Sequence, residues 1–158
     1  MARVHFVKKA RKDVGDIKAG ESYFWWKFRF GSKHVSKTRP RRSQLTQSEY
    51  YGNLYDIEDE IGALVAGDNL EGDVSDIASR LRDIASEQED KLSNMPDSLQ
   101  YSPTGELLQQ RADDCNQAAD ELENVNFEEP DEDATEEEIE DHWQNVLDEV
   151  QGVSIDIN

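Results

Sequence analysis

The spacing of the apolar residues changes once along the chain, and that change divides the fold. Up to about residue 38 apolar residues tend to alternate with polar ones, and from Tyr50 onward they recur every third or fourth position. A period of two belongs to a strand with one buried face, and a period near 3.6 to a helix with one buried stripe. The chain therefore reads as α+β: a small N-terminal antiparallel β-sheet over residues 1–45, then an acidic helical region over 46–158 that forms an antiparallel bundle or helical hairpins. With 35% hydrophobic and 34% charged residues, any core has to be narrow and built from stripes.

The strand signal centres on Tyr23-Phe24-Trp25-Trp26-Lys27-Phe28-Arg29-Phe30. Alternation puts Phe24, Trp26, Phe28 and Phe30 on one face as core, and Tyr23, Trp25, Lys27 and Arg29 on the other. Gly31-Ser32 reads as a two-residue turn, so that Phe28 pairs with Val35, Arg29 with His34 and Trp25 with Thr38. Val4 to Val7 supplies a third strand, reached through the polar loop KKARKDVGDIKAGE. A two-stranded hairpin is marginal alone, so the apolar face needs a cover. The first helix, opened by a capping box from Thr46 to Glu49, is placed to provide it.

Four helices are expected, over about 46–66, 70–94, 102–126 and 134–151. Their stripes are Tyr50, Leu54, Ile57, Ile61 and Leu64; then Leu70, Val74, Ile77, Leu81 and Ile84; then Leu108, Arg111, Cys115, Ala118, Leu122 and Val125; then Ile139, Trp143, Val146 and Val150. Ser102-Pro103 caps the third helix, and a second capping box, Thr135 to Glu138, opens the fourth. The short link Gly67-Asp68-Asn69 makes the first two helices antiparallel neighbours. The acid-rich piece EEPDEDATEEE reads as a mobile link. Trp143 reads as packing, whereas Arg111, on an otherwise apolar stripe, pairs with a buried carboxylate or marks a partner surface.

Charge is split as sharply as periodicity. Residues 1–50 hold 13 Lys/Arg against four acids, a formal net of +9, and the remaining 108 residues hold four against 32, a net of −28. Halves of opposite sign point to different partners. One cysteine, Cys115, excludes an intramolecular disulfide, and no apolar run reaches the length of a bilayer span. The N-terminus lacks the apolar stretch of a secretory signal, so a cytoplasmic protein with no membrane partner is expected. His5, His34, His142 and Cys115 lack metal-ligand spacing, and neither a phosphate-binding glycine loop nor a nucleophile elbow is present. The expectation is a non-enzymatic protein with no cofactor.

The candidate binding residues are cationic or aromatic and lie in the first 42 positions. Lys8, Lys9, Arg11 and Lys12 form one basic cluster; Lys37, Arg39, Arg41 and Arg42 form another. Between them lie Tyr23, Trp25, Lys27, Arg29, Lys33 and His34. Cations neutralise phosphates and ring faces stack on bases, so this set is suited to nucleic acid. The alternative is that the clusters are solvated or serve the acidic helices as intramolecular partners. That second case predicts autoinhibition, with residues 1–67 binding nucleic acid more tightly than the whole chain.

A basic N-terminus, then YFWWKFRFGSKHVSKT in a three-stranded sheet, then a helix, resembles the arm-type DNA-binding domains of phage integrases and their plant relatives. The resemblance covers residues 1–67 and implies a sheet lying in the major groove, with Trp25, Lys27, Arg29, His34, Ser36 and Thr38 facing it. No recombinase domain follows, so the implied role is that of an accessory protein. The acidic helices are similar, in charge alone, to phage proteins that mimic DNA. An acidic inhibitor or adaptor that binds a host DNA-binding protein is therefore a competing reading, and a structural oligomer built through the heptad stripes is a third.

Overall fold

The computed structural model describes residues 1–67, 69–130 and 133–155. It has the expected α+β architecture: strands β1 (His5–Val7), β2 (Tyr23–Lys27) and β3 (Lys33–Ser36), then helices α1 (Glu49–Ile61), α2 (Leu70–Ser93), α3 (Asp97–Gln100), α4 (Pro103–Glu123) and α5 (Glu136–Gly152). Two compact units result, Met1–Asp56 and Ile57 onward. The sheet unit takes in the start of α1 because Asp56 is bound there: its carboxylate accepts a 2.7 Å hydrogen bond from the Ser43 hydroxyl and lies 3.7 Å from Arg41. No described helix is long and apolar enough to cross a membrane.

The three strands form an antiparallel meander in the order β1-β2-β3. The register differs from expectation. Trp25 pairs with Val35, Trp26 with His34 and Lys27 with Lys33, so β2 stops at Lys27 and the chain turns over Phe28–Ser32. The turn is closed by the Gly31 N–H donating to the Phe28 carbonyl at 3.2 Å, which places it earlier than the Gly31-Ser32 turn read from the sequence. The shift is by an odd number of residues, and such a slip moves a side chain to the opposite face. Val35 therefore joins Tyr23 and Trp25 rather than Phe28. Phe30, expected in the core, is 91% exposed at the turn, and Phe28 is half-buried.

The polar loop between β1 and β2 is itself folded. Ala10 and Glu21 are joined N–H to carbonyl at 2.7 Å, Gly20 donates to Ala10 at 2.8 Å, and Val14 and Ile17 bridge each other around Gly15, whose φ is +58°. The Asp13 carboxylate accepts the Ala19 N–H at 2.8 Å. This folded excursion buries Ala10 and Ile17 against Tyr23, with Val7, Trp25 and Val35 around them. Trp26, on the other face of β2, is also buried; its indole N–H finds no acceptor among the described residues, so packing and a stack on His34 hold it.

In the sheet unit, α1 begins at Glu49 rather than Thr46. The Thr46 hydroxyl accepts the Ser48 N–H at 3.2 Å in a local turn, and the Ser48 hydroxyl takes the cap position facing the Tyr51 N–H at 3.5 Å. At its other end the helix stops at Ile61, short of residue 66, because the Ala63 and Leu64 N–H groups bond three residues back. That tightens the last turn into 3₁₀ form.

In the second unit the closely packed pair is α2 with α4. Helices α1 and α2 were expected to be the antiparallel neighbours; Asp68 of their link lies outside the described residues. Helix α2 buries Leu70, Val74, Ile77, Leu81 and Ile84 as its spacing predicts, and Ala78, Ala85 and Gln88 as well. Helix α4 answers with small residues, Ala112, Cys115, Ala118 and Ala119, then Leu122. Branched chains against alanines let two helices approach closely and fill the seam. Arg82 fixes the antiparallel register from outside, with guanidinium bonds to Asn116 at 3.3 Å, Asp120 at 2.5 Å and Glu123 at 2.7 Å. Those bonds to Glu123 and Asp120 raise its already high pKa.

Cys115, Ala118 and Leu122 of the α4 stripe are buried as read from the sequence, but Arg111 is half-buried and Ala112 beside it fully buried, so the stripe departs from expectation at that position. Both positions lie within one turn of Cys115, and the smaller side chain takes the seam. In α5, Trp143, Val146 and Val150 are buried as expected and Leu147 joins them, while Ile139 is 36% exposed. Asp131 and Glu132 of the acid-rich link lie outside the described residues.

The Thr135–Glu138 capping box forms as the spacing predicts. The Glu138 carboxylate accepts the Thr135 N–H at 2.8 Å, and the Thr135 hydroxyl accepts the Glu138 N–H at 3.3 Å. The Thr135 backbone bond, followed by its hydroxyl bond, holds the Glu138 carboxyl below the ordinary carboxylate range. A folded pKa below the unfolded one gives stability that is present above the unfolded value and lost as pH falls through the folded value. Thr135→Ala should cost roughly 1 kcal/mol at neutral pH. Glu138→Gln, which removes the titrating carboxyl, should flatten the acid side of a plot of unfolding midpoint against pH, and an unchanged acid limb in that variant would contradict the capping role.

Candidate nucleic-acid interface

The fourteen candidate residues do not form one surface. Tyr23 is 8% exposed, inside the Ala10–Ile17 cluster, and is no surface stacking platform. Trp25 is half-buried, and its ring is already engaged from both neighbouring strands. His5 of β1 stacks on it at 4.2 Å and the Lys33 ammonium of β3 lies 4.4 Å from its centroid. His34 stacks on Trp26 at 5.3 Å and meets the edge of Phe28.

The groove-facing set implied by the integrase resemblance is split by the register. Trp25 and Lys27 share the face of Lys33 and Val35, whereas His34 and Ser36 share the face of Phe24 and Trp26. Arg29 and Thr38 lie outside the strands.

The cations also separate into two kinds. Lys37 binds Glu21 at 3.0 Å, Arg41 faces Asp56, and the Arg42 guanidinium lies 4.2 Å over the Tyr55 ring. Glu21 is held below the ordinary carboxylate range, first by the Lys18 backbone N–H at 2.7 Å and then by Lys37. This carboxylate stays charged and keeps Lys37 occupied. Lys8, Lys9, Arg11, Lys12, Lys27 and Arg39 are exposed, and among the described residues their side chains make no ion pair or hydrogen bond. Arg29 is exposed too, 5.4 Å over the Phe30 ring.

The excursion accounts for four of the six open cations. Its buried anchors are Ala10 and Ile17, so Lys8, Lys9, Arg11 and Lys12, which flank Ala10, are turned to solvent. Their place follows from one small apolar residue in a basic run.

Two residues outside the candidate set lie beside it. Arg3 is exposed and, among the described residues, makes no ion pair. It lies outside both basic clusters, so clustering did not mark it. Phe6, paired with Phe24 across the sheet at 5.0 Å between rings, is 59% exposed. Strand alternation from Val4 was the signal for Phe6, because it sets that ring opposite Val7.

A folded basic loop and the C-terminal end of β2, with ammonium and guanidinium groups that make no ion pair among the described residues, can hold polyanions by neutralising their phosphates. Comparison of the chain with protein-family models, with curated proteins and with solved structures gave no match.

Proposed function

We propose that the N-terminal unit binds nucleic acid through its phosphate backbone, without catalysis, as an accessory protein of the phage type, and that the acidic helices engage a protein partner. The observation that carries this reading is the group of six exposed cations, Lys8, Lys9, Arg11, Lys12, Lys27 and Arg39, which have no acidic partner among the described residues. In a chain with 36 acids against 17 Lys/Arg, cations left uncompensated in one small unit favour a polyanionic ligand. With Tyr23 buried and Trp25 engaged, contact through phosphates is favoured over stacking on bases.

A salt titration of the full chain against a labelled oligonucleotide tests the proposal. Log affinity should fall linearly with log salt, with a slope of about −3 to −5 if four to six phosphates are neutralised. Absence of binding at about 50 mM salt would refute it.

A second reading has its own support in the exposed carboxylates of α2, α4 and α5, among them Asp76, Asp83, Glu87, Asp113, Glu121 and Glu140. An acidic inhibitor or adaptor acting on a DNA-binding protein would use these. It requires that amide substitutions there abolish capture of such a partner, and that substitution of Lys8, Lys9 and Arg11 leave that capture intact.

A further inference from the structure

We infer that a shallow depression at the edge of the sheet unit, lined by Arg3, Lys27 and Arg29 with Leu45, Thr46 and Gln47, is a seat for a phosphate group. The inference rests in part on the nucleic-acid reading, which it deepens by placing one backbone phosphate, but a small free phosphate has the same chemistry. The depression has a volume of about 320 Å³ and no carboxylate in its lining. The four other depressions described on the protein each carry at least one Asp or Glu.

Three backbone features build the seat. Lys27 is the last residue of β2, where the strand ends early. Arg29 follows in the turn closed between Phe28 and Gly31. Arg3 is brought in by the Ala2 N–H, which donates to the Leu45 carbonyl at 2.7 Å and so fixes the segment before β1 beside Thr46 and Gln47. Arg3, Lys27 and Arg29 then line one concavity that has no carboxylate in its lining.

A cavity of this charge suits a ligand with several acceptor oxygens on one centre. Guanidinium forks match phosphate oxygens in pairs, and an ammonium adds a compact charge. The Thr46 hydroxyl oxygen accepts the Ser48 N–H at 3.2 Å, which leaves its proton as a donor. The Gln47 amide adds neutral donors.

The test uses the full chain and two triple variants with the same change in charge, Arg3→Gln/Lys27→Gln/Arg29→Gln in the seat and Lys8→Gln/Lys9→Gln/Arg11→Gln in the loop. All six residues are exposed, so the unfolding midpoints should stay close to that of the parent, which a thermal melt checks. Each protein is titrated with pyrophosphate by calorimetry and with a labelled oligonucleotide at fixed low salt.

The seat variant should lose pyrophosphate binding altogether. It should also bind the oligonucleotide at least about tenfold more weakly than the loop variant, with a salt slope shallower than the parent's by about 2–3. Equal losses in both variants would remove the seat and leave the nucleic-acid reading standing. Pyrophosphate binding that only the seat variant loses, with no oligonucleotide binding by any protein, would keep the seat for a free phosphate and remove the nucleic-acid reading. If the parent binds neither probe, both are wrong.

Discussion

Gly105→Ala should lower the unfolding midpoint by roughly 10 °C or more, a cost of about 3 kcal/mol, in a position where alanine normally strengthens a helix. Gly105 lies in the first turn of α4, and its N–H faces the Ser102 cap hydroxyl at 3.4 Å. A methyl group there would lie 2.0 Å from the carbonyl oxygen of Gln100, the last residue of α3. That atom is backbone, so it cannot swing aside as a side chain would. Either α3 is displaced or the first turn of α4 unwinds, and both disturb the closed end of the α2–α4 pair. Thermal melts of the variant, with amide exchange at α3 and the start of α4, read the effect. A midpoint equal to or above that of the parent would contradict the close approach.

Leu81→Ala should cost about 3 kcal/mol, within the usual span for a fully buried leucine. Leu81 has no exposed surface and lies mid-way along α2, in the seam formed with α4. Facing α4 positions such as Ala112, Cys115 and Ala119 are too small to swing into the space it leaves, so most of the cavity should persist. Leu107→Ala, on the outer side of α4 at 41% exposure, is the control. Its change should stay within about 0.5 kcal/mol. Chemical denaturation of both variants with unchanged m-values is the measurement, and equal losses would show that the seam is not where the stability of this unit resides.

Periodicity and caps carried a large part of the fold. The stripe of α2, the Ser102-Pro103 start of α4 and the Thr135–Glu138 box of α5 are local signals, each settled within one or two turns of chain. The features that were missed are settled by contacts distant in sequence or by the conformation of a loop. The β2–β3 register depended on which of Phe28–Ser32 turn, and alternation along a strand does not report that. The excursion between β1 and β2 looked polar because Ala10 and Ile17 are outnumbered there by charges, although those two residues hold it to Tyr23.

The candidate site was legible as a charge distribution and not as a surface. Residue type identified the cations, but which of them are neutralised depends on Glu21 and Asp56, which reach Lys37 and Arg41 only through the fold. Arg3 entered by the same route, through a backbone bond from Ala2 to Leu45.

The seam between α2 and α4 also governs the redox chemistry of the chain. Cys115 is the single thiol in the sequence and is 2% exposed, among the alanines of α4. Oxidants, alkylating reagents and the thiol of another copy all need the sulfur at the surface. Their rates are therefore limited by how often the two helices part. While the hairpin stays closed, the burial of Cys115 shields its sulfur from covalent dimerisation.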